Sequence, residues 1–237
     1  MDMKISGAGV IGGGEYDKIS ISGSAKAEGF IRCKNFKCSG AFSGNSDIEC
    51  ENDIKISGAF KNTGKIKAKE FETSGSAKTG TISAEIIKVA GAFKVEGNLK
   101  ATELKIGGGL KTEGDIEAEK AEITGGVSCG GLINAEEIKI ELSNSSGSKA
   151  ESIGGSRIVI ENYREKGIIE RIFGRKTCGF VVSESIEGDE IIIEHTRAKT
   201  VTGKYVMIGE GCEIELLQYS ENAEISPKAK IGRCEKI

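Results

Sequence analysis

The side chains best equipped for chemistry in this chain are seven cysteines and a single histidine. An ionised thiol is a nucleophile or metal ligand, and an imidazole carries protons near neutral pH. Cys33, Cys38, Cys50, Cys129, Cys178, Cys212 and Cys234 are scattered, no two form Cys-x-x-Cys, and His195 stands near no cysteine pair. Zinc sites need clustered ligands, so this spacing predicts none. An odd cysteine count behind an N-terminus without an apolar signal core does not describe a disulfide framework. The expectation is small apolar side chains in the core of a reduced, cytosolic protein. Gly12-Gly13-Gly14 lacks the Gly-Lys-Ser/Thr of a phosphate loop. With one His and no Trp, few groups remain for acid–base work, and no catalytic, cofactor-binding or metal residue is assigned.

The elements that would position any site come from composition and period. The chain has 237 residues, of which 34 are Gly and 1 is Pro. Its 33 basic and 36 acidic residues nearly cancel, to a formal charge of −3, which argues against a nucleic acid held on a basic face. The 38% hydrophobic share is spread along the whole chain, which argues against disorder. No apolar run approaches the roughly 18–20 residues that cross a bilayer.

Ser-Gly or its equivalent recurs at Gly23, Gly40, Gly58, Gly75, Gly91, Gly108 and Gly125, in steps of 17, 18, 17, 16, 17 and 17. Apolar columns keep the same period. One runs Ile31, Ile48, Ile66, Ile82, Leu99, Ile116, Ile133; another runs Ala25, Phe42, Phe60, Ala77, Phe93, Leu110, Val127. Within a unit the pattern is short alternation, as in Ile54-Lys55-Ile56, which places apolar side chains on one face of a strand. Helices so rich in Gly would lose roughly 1 kcal/mol per internal Gly. An identical pattern in every unit demands identical environments. The solution is all-β: a solenoid of triangular coils of about 17 residues, three short strands each, stacked in parallel about 4.8 Å apart. Outward positions are dense in Lys and Glu, such as Lys65, Lys67, Lys69, Glu70 and Glu72, and read as a solvated surface that discourages lateral pairing.

The columns divide the chain into a regular β-helix over 1–142, an irregular insert over 143–180, and further coils with the C-terminal end over 181–237. Inside the insert, Ile168, Ile169, Ile172 and Phe173 recur at helical spacing among Arg171, Arg175 and Lys176, a pattern suited to contact with an anionic membrane or a partner. A parallel solenoid also ends in coils without a neighbour. Ile5, Val10 and Ile11 at one end, and Val206, Ile208, Ile214, Leu216, Ile225 and Ile231 at the other, are the expected polymerisation residues.

The repeated Ser-Gly-x-apolar coils and the strand Gly114-Asp115-Ile116-Glu117-Ala118 resemble the bactofilins, bacterial polymer-forming cytoskeletal proteins. Residues 5–142 carry the likeness. Ser185-Ile186-Glu187-Gly188-Asp189-Glu190-Ile191 and Ile208-Gly209-Glu210-Gly211-Cys212-Glu213-Ile214 are similar to the C-terminal half of longer relatives. The resemblance implies a right-handed parallel β-helix that joins end to end into filaments without nucleotide or other cofactor. It also implies a scaffold for cell envelope, cell shape or flagellar assembly. The expected partners are further copies of the chain or a paralogue, with peripheral membrane contact at the cytoplasmic face, and neither nucleic acid nor a small-molecule substrate. The alternative reading is a β-helix enzyme or carbohydrate-binding protein, either an acyltransferase of the hexapeptide-repeat type using His195 as base or a polysaccharide-acting protein. The absence of a clean six-residue register and the sparse aromatics, 5% of residues, weigh against it.

Overall fold

The computed structural model describes residues 1–142, 147–162 and 179–237. Among them all regular structure is β, one parallel sheet of 21 strands wound into a solenoid of about 13 turns with roughly 17 residues per turn. A short strand, β1 (Asp2–Ile5), and two long ones, β2 (Ala8–Ile21) and β3 (Ser24–Cys38), open it. Shorter pieces follow: β4 (Ala41–Gly44), β5 (Ile48–Cys50), β6 (Asp53–Ile56) and β7 (Ala59–Asn62). Next, eight-residue and four-residue strands alternate: β8 (Ile66–Thr73), β9 (Ser76–Thr79), β10 (Ile82–Val89), β11 (Ala92–Val95), β12 (Leu99–Ile106), β13 (Gly109–Thr112), β14 (Ile116–Ile123) and β15 (Gly126–Cys129). Long strands close it: β16 (Leu132–Leu142), β17 (Ser148–Asn162), β18 (Val181–Ile193), β19 (Thr196–Ile208), β20 (Glu213–Ile225) and β21 (Lys230–Lys236).

Alternation explains the packing. In β8 and β9, Ile66, Ala68, Phe71, Thr73, Ala77 and Thr79 are buried, and Lys67, Glu72 and Ser76 between them are exposed. These inward residues come in three pairs, one per face of the coil. The expected third break between strands is absent from the regular coils: β8 runs through Lys69-Glu70 without interruption. No Gly or Pro stands there. Each inward residue sits on its counterpart one coil away, as in Ile66↔Ile82↔Leu99↔Ile116↔Ile133. Aromatic rings fill the widest part. Phe42 and Phe60 stack at 4.8 Å with Phe36 edge-on to both, and Phe71 stacks on Phe93 at 4.9 Å. Such pairs add about 0.5–1.5 kcal/mol beyond burial.

The Ser-Gly corners stack as tightly as the columns. A Cβ at Gly75 would run into the carbonyl oxygen of Gly58 one coil below, so the backbone there closes to a distance only Gly permits. At the opposite corner, side chains extend the ladder. Asp47 Oδ1 accepts from the Lys65 N–H at 2.8 Å, and Asp115 Oδ1 accepts from the Leu132 N–H at 2.9 Å. Gly12-Gly13-Gly14 forms a bulge against β3, where the register shifts and Gly14 has φ 152°.

The expected insert is narrower than 143–180. Residues 148–162 form β17, a full rung paired to β16 on one side and β18 on the other. The step from Ile140 to its partner Ile160 is 20 residues, which hides this coil from a 17-residue period. Ala150, Ile153, Ile158 and Ile160 nonetheless fill its core. The expected divisions at 142 and 180 therefore fall within one continuous sheet. Residues 143–146 and 163–178 lie outside the described residues. No helix among the described residues is long and apolar enough to cross a membrane.

Thr73 breaks its column: it lies fully buried between Ile56 and Val89, and its Oγ1 has no partner. Replacing a buried, unpaired hydroxyl by a methyl removes a desolvation penalty. Thr73→Val is expected to raise unfolding stability by about 1 kcal/mol in urea titrations, whereas Ile87→Ala, also fully buried, is expected to lower it by about 2–5 kcal/mol.

Candidate functional site

Polar side chains gather into no pocket of catalytic type among the described residues, so the sites to weigh are the two open ends and the few reactive groups. At the first coil, β1 pairs only with β2, and Ala8–Gly12 pair only with Ser24–Glu28. At the last coil, β21 pairs only with β20, and Asn222–Ile225 pair on one side with Tyr205–Ile208. Each end therefore offers a strand edge with free backbone donors and acceptors, the geometry that accepts another strand.

The predicted end residues divide by position. Ile11 is fully buried and Ile5 is 8% exposed; both belong to the interior of the first coil. Gly9 makes room for Ile5, since a Cβ there would meet its Cδ1 and Cγ2 at 3.3 Å. Val10 lies in the end rung, in register with Lys26, with its side chain turned outward and 59% exposed. Leu216 is half-buried and already covered by Arg233 of β21. Val206, Ile208 and Ile214 are buried beneath the final coil. Ile225, at 42% exposure, and half-buried Ile231 belong to the last rung. The C-terminal end thus leaves more apolar surface uncovered. Ile168, Ile169, Arg171, Ile172, Phe173, Arg175 and Lys176 lie outside the described residues, as does Cys178.

His195 occupies a corner and carries the only positive φ of a non-glycine residue among those described, 45°. Its backbone N–H donates to Glu210 O at 2.9 Å, and its ring lies where a Cβ of Gly211 would be. Its Nε2 is buried without a hydrogen-bond partner. The imidazole is thus wedged against the backbone of Gly211 at the corner.

The cysteines are thiols inside the stack. Cys33 and Cys50 are register partners in adjacent coils, and all described cysteines are free. A hydrogen bond to the Cys50 sulfur, with burial, pushes the Cys33 thiol up, and the same bond draws Cys50 down. Burial raises Cys38 and Cys212 to about 11 each. No group of three or more His, Cys, Asp or Glu able to hold a metal occurs among the described residues.

What the sequence reading missed is the order in the surface charge. Arg32 bridges Glu49 at 2.9 Å and Glu15 at 3.4 Å across three coils, and Lys100 meets Glu117 at 2.6 Å. These exposed pairs contribute little each, about 0–1 kcal/mol. A lysine two residues before and another four residues after a small-residue-Gly corner, at Lys55–Lys61, Lys88–Lys94 and Lys105–Lys111, is the signal that reveals a second pattern of charge.

No protein-family model and no solved structure matches this chain. Two relatives come from Bacillus subtilis (strain 168). Uncharacterized protein YhbF is 33% identical over 90 residues, 38% of this chain and 35% of that protein. Uncharacterized protein YhbE is 40% identical over 57 residues, 24% of each. The matches thus span about a third and a quarter of the length of these relatives.

The buried thiols set a pH dependence. An unfolded thiol ionises near pH 8.5, while Cys38 and Cys212 stay protonated to about 11 in the fold. Above pH 8.5 the unfolded chain releases protons that the native chain keeps, so stability falls as pH rises. Urea midpoints are expected to drop between pH 8 and pH 10.5. Over the same range exposed Cys234 is expected to alkylate rapidly, and Cys38 and Cys212 to stay protected, as peptide mass spectrometry will show.

Proposed function

We propose that this chain is a nonenzymatic, self-polymerising scaffold whose copies join coil to coil without nucleotide. On this reading it works as the bactofilin resemblance implies, supporting cell envelope, cell shape or flagellar assembly from the cytoplasmic side of the membrane. One observation supports the reading: among the described residues the first and last rungs of the parallel sheet pair on one side only, and Ile225 and Ile231 of the last rung are not fully buried. Adding a copy satisfies the edge and covers Ile225, so the interaction that holds coils together within a chain also holds chains together. That one bacterium carries two proteins similar to this chain supports a paralogue as a co-assembling partner.

The test is direct. Purified protein without nucleotide is expected to form filaments in negative stain and fast-sedimenting species that grow with concentration. The double variant Ile225→Lys/Ile231→Lys changes only last-rung side chains, so it is expected to keep its melting temperature within a few degrees and to stay monomeric. A native chain that remains monomeric over a wide concentration range overturns the proposal. His195→Ala is expected to leave filament formation unchanged.

A further inference from the structure

The Ser-Gly corner forms a crest along the rod, and its flanks are unlike the rest of the surface. Across the crest from one another stand Lys55 and Lys61, Lys88 and Lys94, and Lys105 and Lys111, three coils built alike. On one flank Lys61, Lys78, Lys94 and Lys111 follow one another in unbroken register. On the other, Lys88 pairs with Lys105, with Glu72 on one side of this pair and Glu122 on the other. Between the flanks the crest carries only small residues: Ser57-Gly58-Ala59, Ser74-Gly75-Ser76, Ala90-Gly91-Ala92 and Gly107-Gly108-Gly109. Lysine stems from both sides can therefore reach over it.

The acids sit beyond the lysines, on the side away from the crest. Asp53 meets Lys55 at 3.3 Å, Glu70 meets Lys88 at 2.7 Å and Glu103 meets Lys105 at 2.6 Å. On the opposite side Glu96 meets Lys78 at 2.6 Å and Glu113 meets Lys94 at 2.7 Å. These pairs are only half-buried at the surface, so a ligand with denser charge can draw the ammonium groups away from them. Lys61 and Lys111 are exposed and form no ion pair.

We propose that this crest is a track for a linear, phosphate-bearing polyanion. The shape selects the class. Coils repeat about every 4.8 Å, so an unbranched chain lying along the crest meets new lysines at each coil. A broad anionic plane would instead bring its charge within about 8–10 Å of both acidic borders, where repulsion is not screened. A single-stranded nucleic acid would find no platform for its bases, because the crest carries no aromatic side chain. The inference does not rest on filament formation, since one copy holds the whole track.

The probe is long-chain inorganic polyphosphate, titrated against the full chain at several salt concentrations. The variant Lys61→Ser/Lys94→Ser/Lys111→Ser uses the residue that nature places in the same column at Ser43 and Ser128. It is expected to keep its melting temperature and to lose at least tenfold in affinity. The slope of log affinity against log salt is expected to fall by about 2–3, one unit per lost contact. The control variant Lys67→Ser/Lys100→Ser, on another face, is expected to change affinity less than twofold. Absence of polyphosphate binding by the native chain overturns the proposal. So does an equal loss in the control, or tighter binding to vesicles rich in anionic lipid or to single-stranded DNA than to polyphosphate.

Discussion

In-register parallel stacking is the constraint on which the rest of this molecule depends. Once one coil sits on the next with every strand paired, each position along the coil inherits the same neighbours above and below. Most inward columns are apolar from coil to coil, one column carries small polar side chains at Thr79 and Thr112 around Val95, and the corner that brings two backbones into contact is Gly in coil after coil. The repeating sequence is the record of that demand, read down columns rather than along the chain. Departures are local and identifiable. A Thr replaces an aliphatic residue at position 73, the triple Gly at 12–14 is taken up by a bulge, and one step, from Ile140 to Ile160, is longer than the rest.

The same stacking leaves little scope for chemistry inside. The interior is filled mainly by aliphatic and aromatic side chains, and burial raises the thiols of Cys38 and Cys212. The lone imidazole is spent on a corner with positive φ. What remains available is the outside of the rod and its two ends. Ends arise because a parallel stack has no internal means of closing on itself, unlike a barrel. Sides are periodic, so any charge placed on one coil and kept in the next becomes a row.

That periodicity also explains why net charge misleads here. A total of −3 describes a nearly neutral protein, and most surface columns mix signs from coil to coil, yet one column keeps lysine through four coils at Lys61, Lys78, Lys94 and Lys111. A ligand narrow enough to touch one column meets a strongly charged surface, and a wide one meets an almost neutral average. Sequence composition averages over the circumference, whereas contact does not.

The architecture was legible in the sequence because its cause is local and repeated. Alternation marked the strands, Gly marked the corners, and the 16- to 18-residue step marked the coil. The buried columns beginning at Ala25 and Ile31 are the ones the repeat picked out. Coils whose length departs from the period were harder to see, as β17 shows, because the signal was the period itself. The ends were only partly legible. Alternation reveals that Val10 faces out only once its strand and register are known, and Leu216 is covered only because β21 folds back over it. Thus the chain by itself determined which residues go in, which bend the backbone and how long a coil must be, since each rests on side-chain type at fixed spacing. Only the tertiary structure decided which residues separated by a full coil share a surface, because that adjacency is created by pairing between coils and not by proximity along the chain.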